Sequence, residues 1–183
     1  LDQIIKNSVK EIDLFKYEAY EFRTYYGNDE TIFEAPGYEI PSTTLTRFPF
    51  KEYHTDLDTI EKLSSQNLEE TANILIKAIV MMEENSYAKS DKKGLYCLSN
   101  PKYNLYKKAP EPGISNDGNS ELEKSWNLMM NCLPRLLSVG TSTVEISNKY
   151  NLPFNFVNEY LKEWELKGLA ELSINAYLGW KHE

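Results

Sequence analysis

The run Lys107-Lys108-Ala109-Pro110-Glu111-Pro112-Gly113-Ile114-Ser115-Asn116-Asp117-Gly118-Asn119-Ser120 constrains this chain more than any other feature. Proline, glycine, asparagine and serine are concentrated there, with almost nothing to bury, so no single hydrophobic core can run through it. The chain of 183 residues is therefore expected to fold as two pieces, residues 1–108 and 120–183, joined by a linker over residues 109–119. Neither piece is too short to close a core of its own.

After the linker the pattern is helical. Leu122, Trp126, Met129, Met130, Leu133 and Leu137 lie at helix spacing and give one apolar stripe. Thr141-Ser142-Thr143 reads as the cap of a second helix through Val144, Ile146 and Tyr150. Asn151-Leu152-Pro153 is a turn that opens a third helix, with Phe156, Val157, Tyr160, Leu161 and Trp164 facing inward and Gly168 at its end. Alternation over residues 169–174 and 177–180 suggests a small hairpin. Three helices followed by a hairpin make a winged helix.

Before the linker the pattern is mixed. Leu1, Ile4, Ile5 and Val9 share a helical face. Residues 17–26 are aromatic and alternating, which suits a strand, as do the β-branched residues of 40–48. Between them, Gly27-Asn28-Asp29-Glu30 is turn chemistry, with Asn28 or Asp29 placed to cap a short helix through Ile32 and Phe33. Asp58-Thr59 is placed to cap another. A long helix should start after Ser65, burying Leu68, Ala72, Leu75, Ile79 and Met82. Residues 85–104, broken by Lys-Lys-Gly and Asn-Pro, are expected to lie extended over the first piece.

Composition narrows the function. Net charge is −8, and from Glu121 onward eight acidic residues face six basic ones. The third helix of the winged helix carries no arginine, so a nucleic-acid partner is not expected; a DNA-binding regulator is the second alternative. No run approaches the roughly eighteen apolar residues of a membrane span, and no membrane partner is expected. Cys97 and Cys132 are 35 positions apart and read as two free buried thiols, which places the protein in a reducing cytoplasm. The chain does not begin with Met, which suggests the interior of a longer polypeptide.

Two polar motifs remain: Gly27-Asn28-Asp29-Glu30 with Ala35-Pro36-Gly37 and Ile40-Pro41, then Glu52-Tyr53-His54-Thr55 with Asp58-Thr59. In this order, and with the helical unit behind them, they resemble the closing section of a zinc aminopeptidase catalytic domain. The likeness is to a bacterial aminopeptidase-like family linked to polysaccharide biosynthesis, in which a winged helix follows that domain. The resemblance implies an α/β fold, namely the C-terminal segment of a zinc-exopeptidase-like α/β/α domain followed by a small winged-helix domain. It makes His54 a metal ligand, Asp29 and Glu30 catalytic or substrate-orienting carboxylates, and Tyr53 a substrate-binding residue. Helix capping by Asp29, and solvated or packing roles for Glu30 and Tyr53, stand beside these roles.

Asn28 stands where the family usually has serine, and Glu30 where many relatives have histidine. The family's other ligands (a first histidine, a bridging aspartate, a Glu-Glu pair, a further acid) have no counterpart here, and His182 is the only other histidine. One imidazole cannot hold the two zinc ions of the complete enzyme. The implied protein is a zinc-dependent aminopeptidase or amidohydrolase acting on a peptide or aminoacyl-amide. This chain would be its C-terminal part, inactive alone, partnered by the remainder of its parent chain and open to homo-oligomer formation. The first alternative is a non-catalytic interaction protein on a peptidase-like scaffold.

Overall fold

In the computed structural model, residues 1–12, 17–21, 23–25, 27–109 and 121–174 are described. The chain forms two compact units, Leu1–Ile79 and Val80–Glu183. Among the described residues the fold is mixed α/β, with several helices and one three-stranded sheet.

In the first unit, α1 (Asp2–Ile12) turns Ile4, Asn7 and Ser8 inward. The Ser8 hydroxyl donates to the Ile4 carbonyl at 2.9 Å, which satisfies a polar group that burial would otherwise penalise. The expected strands do not form at 17–21 or 40–48. A strand needs a ladder partner, and this unit offers none among the described residues. The short α2 (Glu30–Phe33) does form, with Asp29 at its N-cap position but no cap hydrogen bond from its side chain. The second expected cap falls at Thr59, without a cap hydrogen bond from its side chain. A single 3-10 turn, Ile60–Lys62, starts after Thr59.

The long helix α3 (Ser65–Glu84) begins where expected but buries a different face. Its inward residues are Glu70, Ile74, Ala78 and Met81. Leu68, Leu75, Ile79 and Met82, the expected core stripe, are exposed, as is Ala72. A carboxylate takes part in the burial because Glu70 is paired: Arg47 reaches it at 2.7 Å and Gln66 at 3.0 Å. A charge buried without such partners would cost several kcal/mol.

The second unit is built around strand β1 (Tyr87–Lys89). It lies between β2 (Thr141–Ser142) and β3 (Glu171–Ser173), antiparallel to both, with Tyr87 opposite Ser142 and Ser173. Residues 85–104 were expected to lie over the first piece. Instead Ala88, Leu105 and Ala109 belong to the core of the second unit. The reason is hydrogen bonding as much as burial. The Trp126 indole N–H donates to the Lys107 carbonyl at 2.9 Å, and the Tyr160 hydroxyl donates to the Leu105 carbonyl at 2.7 Å. Burial pushes the Tyr160 phenol up to about 12.

Three helices complete this unit. α4 (Glu121–Val139) buries Trp126, Met129, Met130, Leu133 and Leu137, the stripe read from spacing. α5 (Thr143–Tyr150) opens with a full capping box: Glu145 N–H donates to the Ser142 hydroxyl, and Ser142 N–H to the Glu145 carboxylate. It ends at Asn151 in the left-handed conformation, φ 52°. α6 (Phe154–Leu166) buries Val157, Tyr160, Leu161 and Trp164. The far arm of the expected hairpin, 177–180, and nearly all of the expected linker lie outside the described residues. What pairs with β3 is β1, more than eighty residues upstream.

Gly140 makes the α4–β2 corner possible. Its φ is +86°, and a Cβ there would lie 2.1 Å from the Tyr87 hydroxyl oxygen. Gly140→Ala is therefore expected to lower stability by about 2 kcal/mol or more, because it combines backbone strain with displacement of a strand residue's ring. Denaturant unfolding of the purified chain checks this, and a change below about 0.5 kcal/mol would show that the corner yields freely.

Candidate functional site

The His54 loop is a series of turns. Tyr53 N–H donates to the Phe50 carbonyl at 3.2 Å and Thr55 N–H to the Glu52 carbonyl at 3.0 Å. The Thr55 hydroxyl also donates to the Glu52 carbonyl, at 2.5 Å, and accepts from Leu57 N–H at 3.2 Å. His54 sits between these bonds with φ 62°, a left-handed conformation that an imidazole-bearing residue enters at a cost of order 1 kcal/mol or more. The ring is exposed and lies flat against Tyr53, centroids 3.9 Å apart at 27°. Tyr53 is itself 45% exposed. Beside the loop a cavity of about 370 Å³ is lined by Arg47, Phe50, Tyr53, Asp58, Lys62 and Asn67, among others, but not by His54.

The second motif lies against another cavity, of about 630 Å³, whose walls include Tyr20, Tyr25, Glu30, Glu34, Thr44 and Phe48. Glu30 accepts from Asn28 N–H at 2.7 Å and from the Thr44 hydroxyl at 3.2 Å. The Asn28 bond foremost, with Thr44 and the Arg23 charge behind it, holds its carboxyl below the usual carboxylate range. Glu30 is thus an ionised acceptor at neutral pH, suited to a cationic group. Asp29 is exposed beside it. The structure brings Tyr53 to His54 and places Asp29 next to Glu30. Among the described residues, no hydrogen bond or ring contact joins the two pairs.

Sequence spacing did not reveal what lies between them. Rings follow one another from Tyr20 to Tyr25 (4.4 Å), Phe48 (5.2 Å), Phe50 (5.5 Å), Tyr53 (5.3 Å) and His54. Offset and edge contacts of this kind contribute about 0.5–1.5 kcal/mol per pair beyond burial. The only available signal was the density of aromatic residues in 17–26 and 48–53.

His54 supplies one nitrogen, and among the described residues no three His, Cys, Asp or Glu side chains are grouped to hold a metal ion. A catalytic zinc takes three protein ligands, so the described residues do not by themselves fit one. Cys97 is exposed and Cys132 half-buried, so the expectation of two buried thiols fails for Cys97. It lies in the turn 97–100. Among the described residues no helix is long and apolar enough to cross a membrane.

Residues 1–85 match a family model described as "Domain of unknown function (DUF4910)". The fold is similar to the crystal structure of a "putative peptidase" from Clostridium acetobutylicum, with a TM-score of 0.61 and 18% sequence identity. The similarity covers 94% of this chain and 36% of that one, so this chain spans about a third of the length of the protein it resembles. What the likeness shows is a shared fold. No curated protein matches the chain in sequence.

Proposed function

We propose that this chain is the C-terminal part of a zinc-dependent aminopeptidase or related amidohydrolase of the cytoplasm, in which the His54 loop supplies one metal ligand and one wall of the substrate cleft. The observation that carries this reading is His54 itself. A non-glycine residue is held in a left-handed backbone, with its imidazole exposed and propped on Tyr53. Strain of that kind is retained where a side chain has to be aimed. The fold likeness to a chain called a peptidase, 36% of which this chain covers, supports the context. Zinc would supply an activated water in the complete protein. Within this chain His54 binds, Tyr53 orients, and Glu30 with Asp29 offers negative charge to a substrate ammonium.

The second unit enters this proposal as a winged helix used for packing rather than for reading DNA. Two residues of α6 are tied to Glu84: the buried Asn158 donates to its carboxylate at 2.7 Å, and Lys162 pairs with the same carboxylate at 3.7 Å. Metal analysis of the complete polypeptide, with hydrolysis of aminoacyl-anilides, tests the whole reading. Bound zinc together with anilide cleavage is expected. A well-folded complete polypeptide that carries no zinc and cleaves nothing would leave a scaffold protein in its place.

A further inference from the structure

The cavity of about 630 Å³ in the first unit combines open aromatic rings with carboxylates. Its volume falls within the range of small-molecule sites. Tyr20, Tyr25 and Phe48 line it and are 50%, 51% and 58% exposed. Tyr20 and Tyr25 lie nearly parallel with centroids 4.4 Å apart, and Phe48 stands across Tyr25 at 83°. The face of an aromatic ring is electron-rich, so rings left open in this way attract a cation. Charge on the walls agrees. Five carboxylates line the cavity against three cations, and one of those cations, Arg47, is held by Glu70 at 2.7 Å and by the Asn67 carbonyl at 3.1 Å. Glu30 accepts from Asn28 N–H at 2.7 Å and from the Thr44 hydroxyl at 3.2 Å, with its own N–H adding to these. A carboxylate has about four acceptor sites, so Glu30 can still take an incoming donor. A second carboxylate, Glu18, accepts from the Tyr20 hydroxyl, so ring and charge adjoin at that wall as well.

We infer that this cavity binds a guanidinium group, the side chain of an arginine in a peptide, with its plane against the aromatic rings and its edge toward Glu30. A guanidinium is flat and weakly hydrated, stacks on aromatic faces, and donates hydrogen bonds in its own plane. It therefore uses the rings and the carboxylate together. A quaternary ammonium has no N–H to give and leaves the acceptor on Glu30 unused. A lysine ammonium is a compact, strongly hydrated charge that must shed more water to reach the rings. The inference deepens the proposed function and rests on it in one respect, that Glu30 faces a cation on a peptide. It assigns that cation to a side chain rather than to the amino terminus, and it uses neither zinc nor hydrolysis.

The probe is Nα-acetyl-arginine amide, titrated into the 183-residue chain and followed by the NMR signals of the tyrosine and phenylalanine rings. Its backbone is uncharged, so the guanidinium is its only charge. Saturable binding with a Kd of about 1 mM or below is expected. The neutral isostere Nα-acetyl-citrulline amide should bind at least about tenfold more weakly, and Nα-acetyl-lysine amide at least about threefold more weakly. Glu30→Gln, which keeps the side chain's size but not its charge, and Phe48→Leu, which removes a ring, should each weaken binding by about fivefold or more. No saturation by about 10 mM overturns the inference. So does a citrulline or lysine amide that binds as tightly as the arginine amide, and so do two folded variants that bind like the parent chain. The comparison of the three amides needs no substitution, so a variant that fails to fold leaves the test intact. Zinc and cleavage are read separately in the complete polypeptide: their absence removes the peptidase reading and leaves arginine binding standing, whereas zinc and cleavage without arginine binding remove this inference alone.

Discussion

His54→Ala, made in the complete polypeptide, is expected to remove most of the bound zinc and to lower anilide hydrolysis by at least about a hundredfold, with little change in Tm. The argument starts from exposure. The imidazole packs on one neighbour, Tyr53, and is otherwise open, so its loss leaves no cavity and no buried group without a partner. Fold and function therefore separate at this position. A residue kept for packing would give the opposite result, a fall in stability with metal retained. Tyr53→Phe serves as the companion: it keeps the stacked ring and should retain zinc, whereas Tyr53→Ala frees the imidazole and should weaken metal binding by about tenfold or more. Full zinc occupancy in His54→Ala would remove the metal-ligand role.

How much of this could be read from the sequence depends on what kind of signal each residue carries. The α4 stripe from Trp126 to Leu137 was legible because its opposite side is polar, so periodicity alone selects the inward face. On α3 the same periodicity misled, because Ile74 and Ala78 form a second apolar side, and nothing local decides which of two such sides is covered. Glu70 made the choice harder still, since its burial depends on Arg47 and Gln66, whose reach no spacing rule contains. The cap of α5 was legible as three adjacent hydroxyl residues, Thr141 to Thr143, while the Glu145 half of the capping box comes from the structure. Strand β1 was not, because three residues of Tyr-Ala-Lys acquire strand character only from partners more than fifty positions away. At the candidate site, residue types at fixed spacing singled out His54 and Asp29. The left-handed turn and the aromatic series that aim the ring are backbone and tertiary facts, and residue types report neither.

The largest stability effect is expected from Trp164→Ala in the second unit, a loss of about 3–5 kcal/mol. Trp164 is fully buried in the core. Its ring lies 5.7 Å from Tyr96 and 6.3 Å from Tyr160, and Tyr160 stands 5.1 Å from Trp126. One indole thus joins three segments far apart in sequence: the stretch 96–109, α4 and α6. Replacing it with alanine removes the buried area and leaves a space that two tyrosines and a tryptophan, each a flat ring fixed by its own neighbours, cannot close by small shifts. Domains of this size have about 5–15 kcal/mol of total stability, so the loss is a large share of it and corresponds to a Tm lowered by about 15 °C or more. Trp164→Phe keeps a ring between Tyr96 and Tyr160 and should cost clearly less. Urea unfolding followed by far-UV circular dichroism measures both. If Trp164→Ala cost no more than Trp164→Phe, residues 96–109 would be resting on the helices without depending on them, and the hydrogen bonds at Leu105 and Lys107 would have to hold that stretch alone.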